Sequence, residues 1–234
     1  MIKYNNYDFQ KFSEQFSKLG TTDLLKVMIK NIFKKKIVVT SSFGAESIVI
    51  LDLVSKIDKN IPIIFLDTGK LFPETLDYLI KVKKFLNLKN IKIQKPSLKD
   101  LKINDVEGNL HKTNPELCCK LRKVIPLEKA INPYEAWING RKRFHGLERK
   151  SIKKIEKLNN IIKINPLADW SFKEINTYIK KNKLPEHPLI KKGYKSIGCL
   201  PCTTKIADDE PVRSGRWKDA KKNECGIHVY NPSI

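Results

Sequence analysis

The 234-residue sequence has no apolar run near the roughly 18 to 20 residues that a membrane span requires. Met1 to Gln10 carries Tyr, Asn and Asp where a signal peptide would need an apolar stretch. No internal repeat and no low-complexity linker interrupts the chain, so one domain of ordinary core size is expected, with small appendages. The five cysteines cannot all pair, and two of them form a C-x-x-C, which argues against a disulfide scaffold and for a reducing compartment. A soluble cytoplasmic protein is expected. Acidic residues are scarce: 25 Asp and Glu face 46 Lys and Arg, a formal net charge of +21. That balance favours anionic partners. Runs such as Lys34-Lys35-Lys36 and Lys221-Lys222 read as solvated surface with a modest anion-binding role, rather than as a dedicated nucleic-acid face.

The apolar pattern alternates between strand and helix. Phe9, Phe12, Phe16 and Leu19, then Leu24, Leu25, Met28, Ile29 and Ile32, recur at helical spacing and predict one or two N-terminal helices. Ile37 to Thr40 is a β-branched run suited to a buried parallel strand, and it leads through a polar turn into an apolar helical segment ending near Val54. Further strands are expected over 61–66, 91–93 and 136–138. A helix should open at Pro73-Glu74, with Pro in the first turn. Residues 98–135 are less regular. Ser171 and Glu174 form a capping-box pattern for a helix to about Lys181. The result is an α/β fold, a mainly parallel sheet with helices on both faces. The domain is expected over 1–210, followed by a mobile C-terminal tail over 211–234.

Three features carry chemistry. Ser41 to Ser47 joins a strand to a helix with Ser, Ser, Gly and Ser, offering amides, hydroxyls and a helix N-terminus to an anion beyond the strand's carboxyl end. It lacks the Gly-Lys-Ser/Thr ending of a Walker A loop. Cys118-Cys119 and Cys199-x-x-Cys202 make a four-thiol set that fits either Zn²⁺ or an iron–sulfur cluster. Adjacent cysteines suit the separate irons of a cluster better than one tetrahedral ion. Cys225 is left over, near His228 and downstream of Arg213 and Arg216, where cations favour a thiolate nucleophile. Basic groups follow the cysteine pair (Arg122, Lys123) and the fourth strand (Arg141, Lys142, Arg143), and arginine forks suit phosphate and sulfate oxygens.

These stretches together resemble the assimilatory sulfonucleotide reductases, and within them the adenylyl-sulfate (APS) reductase branch. The matching segments are SSFGAES at 41–47, FLDTGKLFPET at 65–75, CCKLRKVIPL at 118–127, WINGRKR at 137–143, NPLADWS at 165–171, HPLIKKGYKSIGCLPCT at 187–203, RSGRW at 213–217 and ECGIH at 224–228. The resemblance runs in order from about residue 35 to 230. It implies the adenine-nucleotide α-hydrolase type of fold, with SSFGAES as a modified pyrophosphate loop. Cys118, Cys119, Cys199 and Cys202 then match the ligands of a [4Fe–4S] cluster, and Cys225 the catalytic nucleophile. Ser42, Gly44 and Ser47 match the phosphate loop, and Leu66 and Gly140 the adenosine site. Lys123, Arg213, Arg216 and His228 match groups around the phosphosulfate, and Arg143 and Arg149 match substrate contacts.

The sequence departs from the family pattern in two places. Gly140-Arg141-Lys142-Arg143 stands where Gly-Leu-Arg-Arg is usual, and His145-Gly146 where Gln-Ser often follows. Family members with the cysteine pairs typically use APS, and those without use the 3′-phosphorylated nucleotide (PAPS). The expected reaction is attack of Cys225 on the sulfonyl group of APS, giving a cysteine S-sulfonate that reduced thioredoxin cleaves to sulfite. No fused thioredoxin-like domain is seen in the 234 residues, so a separate donor is expected. A homo-oligomer is compatible with the sequence. Three other readings fit parts of it: a PAPS reductase with the same chemistry, an RNA-thiolating enzyme with a pyrophosphate-type loop, and a zinc-stabilised nucleotide-binding module without turnover.

Overall fold

The structure is a computed structural model that describes residues 6–146, 149–218, 222 and 224–228. The expected tail is therefore described over 211–218, 222 and 224–228, and its other residues lie outside the described ones. Two helices, α1 (Asn6–Ser17) and α2 (Thr21–Val27), precede the first strand, and α2 continues into a π-helical turn over Met28–Ile32. The chain then alternates: β1 (Ile37–Thr40), α3 (Ser47–Ser55), β2 (Ile63–Leu66), α4 (Pro73–Phe85) and β3 (Ile91–Gln94). Four short helices cross the region of weak periodicity: α5 (Leu98–Asn104), α6 (Leu110–Thr113), α7 (Pro115–Cys119) and α8 (Ile125–Ile131). A second π-helical turn, Lys120–Val124, lies between α7 and α8. Strands β4 (Ala136–Ile138), β5 (Ile155–Leu158) and β6 (Ile161–Ile164) and helix α9 (Phe172–Lys181) follow.

The six strands form one sheet in the order β3-β2-β1-β4-β6-β5. Five are parallel, and β5 pairs antiparallel with β6 at the edge. Alternation along the central strands assigns the two faces. Val39, Ile63, Phe65, Ala136 and Ile138 point into the main core with residues of α1 to α4 and α9. Val38, Ile64 and Trp137 point the other way, onto Leu127 and Ile131 of α8. Both faces are covered, as a parallel sheet requires. Helix α3 has all of Ile48 to Ser55 buried, so it is a core helix rather than a half-exposed one.

Local chemistry accounts for several boundaries. Strand β2 starts at Ile63 rather than at 61. Pro62 has no N–H for the ladder, although its carbonyl accepts from Val39 N at 2.9 Å. Asn114 caps α7 by accepting from Leu117 N at 3.0 Å, with Pro115 in the first turn. Ser171 and Glu174 close both bonds of the capping box on α9. No described helix is long and apolar enough to cross a membrane.

Candidate active site

Strand β1 lies between β2 and β4, whose connections leave in opposite directions along the sheet. A cleft forms at the carboxyl ends of strands at such a point. Here the loops after β1, β2 and β4 enclose a cavity of about 240 Å³ together with the segments 195–199, 212–217 and 224–228.

The loop after β1 is held by its own serines. Ser41 Oγ accepts from Phe43 N at 3.1 Å, Ser42 Oγ accepts from Gly44 N at 3.3 Å, and Ser47 Oγ donates to Gly44 O at 2.8 Å. Phe43 takes a left-handed φ of +48° and buries its ring edge-on against Phe65, which anchors the turn. A Cβ on Gly44 would lie 3.0 Å from Ile197 O, so the close approach of the 195–199 segment needs glycine.

The expected site residues mostly converge. Ser42, Gly44, Ser47, Leu66, Lys123, Gly140, Arg149, Arg213, Arg216, Cys225 and His228 all line the cavity. Arg143 does not. Its guanidinium turns away, donating to Ile152 O at 2.7 Å and pairing with Asp169. Its neighbours Arg141 and Lys142 line the cavity instead. Among the described residues, seven cations (Lys123, Arg141, Lys142, Arg149, Lys195, Arg213 and Arg216) and two carboxylates, Glu46 and Glu224, line the cavity, so it suits an anion.

Several participants were not singled out from sequence. Glu46, at the start of α3, pairs with the buried Lys142 and lies 3.0 Å from His145 Nε2. Burial raises its pKa, but Lys142 and His145 outweigh burial and hold it at about 2. Lys142 itself is lowered, because its complete burial and the nearby Arg149 and Arg213 outweigh one carboxylate. We take the pair as charged, since Glu46 has two cationic or polarised neighbours. Lys163, on β6, is buried and shifted down to about 8 by burial and by Arg141. Lys163 does not line the cavity but donates to the backbone oxygen of His228, which does, at 3.3 Å. No spacing in the sequence links Glu46 to Lys142 or Lys163 to His228.

Of the four paired thiols, Cys199 lines the cavity itself. Cys118 and Cys119 end α7 and are buried; Cys199 is buried and Cys202 half-buried, and none is in a disulfide. Thr68 Oγ1 is 3.2 Å from Cys199 Sγ. Cys118 lies near enough to both Cys199 and Cys202 for their charges to interact, so the two pairs converge across the chain. Burial raises Cys118 and Cys202, and takes Cys119 up to about 12. Cys199 goes the other way: burial opposes its thiolate, but Lys123, Thr68 and Arg216 overcome it. Burial would likewise lower Lys123, yet Cys199, Cys225 and Cys119 hold its ammonium charged. Lys123 comes from the π-helical turn after α7, a distortion frequent at functional sites. Among the described residues no three His, Cys, Asp or Glu side chains converge as ligands of one ion would. An all-sulfur, largely buried donor set with cations around it fits the chemistry of an iron–sulfur cluster.

The described tail packs onto this surface. Arg216 Nε donates to Cys202 O at 3.1 Å, and the Arg216 guanidinium lies over the Trp217 ring at 4.4 Å. Lys123 and Arg213 approach the same ring at 6.0 Å. Ile227 packs against the smaller core beside Trp137. His228 stacks on Trp137 with ring centroids 5.3 Å apart, and its burial beside Arg141 and Lys163 lowers its pKa well below the usual imidazole value. Trp137 in turn donates to Thr40 Oγ1 at 2.6 Å, tying the tail's seat to the end of β1.

Comparison with known proteins points the same way. The profile of the phosphoadenosine phosphosulfate reductase domain matches residues 36–205. A Mesorhizobium japonicum protein named adenosine 5′-phosphosulfate reductase is 41% identical over 92% of this chain and 84% of its own. A Bacillus subtilis protein, adenosine 5′-phosphosulfate reductase 1, is 37% identical over 97% of this chain and 100% of its own. Among solved structures, phosphoadenylyl-sulfate (PAPS) reductase from Candida auris in complex with phosphate aligns with a TM-score of 0.73. It is 28% identical, over 88% of this chain and 99% of that one. Yeast FAD synthetase in complex with FAD shares the fold alone, with a TM-score of 0.57 at 14% identity.

Proposed function

The chain belongs to the phosphoadenosine phosphosulfate reductase family, a family of oxidoreductases, and from that premise we propose that it reduces APS to sulfite and AMP, with Cys225 as nucleophile and thioredoxin as electron donor. The observation that carries this reading is the placement of Cys225. The one thiol outside the four-cysteine set lines the same cavity as the serine loop after β1 and the surrounding cations.

The nucleotide's anionic groups are drawn to the cavity by its excess of cations. The Cys225 thiolate attacks the sulfonyl sulfur, the bond from that sulfur to the phosphate oxygen breaks, and the electron pair leaves with AMP. Lys123, Arg213 and Arg216 stabilise charge on the transferring sulfonyl and the departing phosphate. Cys225 now carries an S-sulfonate. A thioredoxin thiolate attacks Cys225 Sγ and sulfite departs with the bonding pair; the second thioredoxin thiol then resolves the mixed disulfide. Thioredoxin is oxidised to its disulfide and Cys225 is regenerated. The described part of the tail, 211–218 and 224–228, serves both halves, seated on the cavity for attack and released for reduction. Cys118, Cys119, Cys199 and Cys202 would hold a [4Fe–4S] cluster, which when bound supplies structural and electrostatic support rather than electrons. Burial of Cys118, Cys119 and Cys199 supports this assignment.

The test is an anaerobic sulfite assay with reduced thioredoxin, offering APS and PAPS in parallel. Sulfite from APS, with much less from PAPS, is the expected result. The likeness to a PAPS reductase motivates the second nucleotide. Activity chiefly on PAPS would reassign the substrate but keep the chemistry. Cys225→Ser should lose sulfite release while retaining AMP binding; turnover by that variant would exclude Cys225 as nucleophile.

A further inference from the structure

Lys163 is the one charged residue of β6, Ile161-Ile162-Lys163-Ile164, and it is only 3% exposed. Ile162 and Ile164 point into the main core, so Lys163 points to the opposite face of the sheet. One row of side chains crosses that face: Val38 pairs with Trp137, Trp137 with Lys163, and Lys163 with Glu156. Leu127 and Ile131 of α8 cover the apolar end of the row. The C-terminal segment covers the other end. Lys163 Nζ donates to His228 O at 3.3 Å and lies 5.6 Å from the centre of the Trp137 ring. The His228 ring stacks on the same indole with an interplanar angle of 8°. Ile227 joins the apolar cluster around Trp137, and Glu156 reaches Lys163 Nζ at 3.4 Å from β5.

The 224–228 segment is thus held at both ends. Arg149 Nη2 donates to Glu224 Oε2 at 2.8 Å at one end, while Lys163 and Trp137 take His228 at the other. Cys225 lies between them, and Gly226 turns the chain after it with a left-handed φ of +81°. A buried lysine is costly, and an apolar residue would serve the sheet at least as well at this position. What an apolar side chain could not do is hold the main chain three residues beyond the nucleophile.

We propose that Lys163, together with Trp137, is the seat of the catalytic segment: a positioning residue that lies outside the cavity and fixes Cys225 over it through His228. The proposal rests on reading Cys225 as the nucleophile. The hold consists of one charge-assisted hydrogen bond, one stacked ring pair and one small apolar contact. That suffices to orient the thiolate for attack, and it is weak enough to release when the reductant must reach Cys225.

The test uses full-length, anaerobically purified protein and separates the two half-reactions by peptide mass spectrometry. In Lys163→Met, transfer of SO₃ from APS to Cys225 in a single turnover should slow about tenfold, the scale of one charge-assisted hydrogen bond. Once long incubation has formed the S-sulfonate, its reduction by thioredoxin should run as in the unmodified chain or faster. Trypsin should cut within 218–222 several-fold faster, with cleavage elsewhere unchanged. Lys163→Arg, which keeps a charged donor, should recover most of the transfer rate. Glu156→Gln alters the other partner of Lys163 and should transfer at the ordinary rate. Ile227→Ala loosens the seat from the tail side; it should behave as Lys163→Met does, and it decides the matter if that variant does not fold. A general structural role predicts both half-reactions slowed together, and Glu156→Gln as slow as Lys163→Met. Either result would overturn the proposal, as would an ordinary transfer rate in Lys163→Met. If the unmodified chain forms no S-sulfonate, the reading of Cys225 fails, and the trypsin comparison alone decides the seat.

Discussion

Glu46 shows how single charges define this site. A carboxylate buried with only one partner is costly, and breaking a buried pair typically costs about 3 to 5 kcal/mol. Its pKa falls from 4.5 to about 2 on folding. The unfolded chain therefore takes up a proton between these values that the native chain does not. Native stability from this group is complete above 4.5 and is lost as pH falls toward 2, about 3 kcal/mol in all. Glu46→Gln should be less stable than the unmodified chain at neutral pH, and urea midpoints of the two should converge as pH falls through 4.5. A gap that stays constant across that range would show that the Glu46 charge is not what stabilises the fold. The same scale sets the limit of sequence reading. Arg141, Lys142 and Arg143 form one basic run, and only the short 3₁₀ turn at Arg143–His145 decides which of them face the cavity. Arg143 is claimed by Ile152 O and Asp169, contacts to chain segments that spacing does not bring near.

Among the elements, legibility followed how local the cause is. The capping box of α9 depends on residues three apart, and both of its bonds are present. Ser171→Ala should cost about 1 kcal/mol. Chemical denaturation would measure it, and no loss would mean that packing of Ile175 and Ile179 alone fixes the helix start. Strands β1 and β4 were legible because they are short, apolar and buried on both faces. Strands β5 and β6 were missed. Their signal is brief: Ile155 to Leu158 and Ile161 to Ile164 flank Asn159-Asn160, and Asn159 takes a left-handed φ of +53°. An asparagine pair between Ile155-Glu156-Lys157-Leu158 and Ile161-Ile162-Lys163-Ile164 is a weak hairpin pattern, because half of the first tetrad is charged. Lys157 and Lys163 within it break the apolar run. The helices of 98–131 are too short to show a period, and two of them start on cap and proline chemistry instead.

For the whole molecule, the net charge of +21 has a local meaning. The cations that matter gather where β1 meets β4, and residues of the 224–228 segment line the same cavity, among them Cys225, the nucleophile we propose. The order of motifs along the chain was legible. What was not legible was that Glu224, the tail's own carboxylate, sits among those cations. The central claim is that Cys225 takes the sulfonate from the nucleotide. Intact and peptide mass spectrometry after adding APS without any reductant tests it directly. The account predicts one added SO₃ group on the Cys225 peptide, in step with the AMP released, and none in Cys225→Ser. AMP and sulfite released with Cys225 unmodified would contradict it.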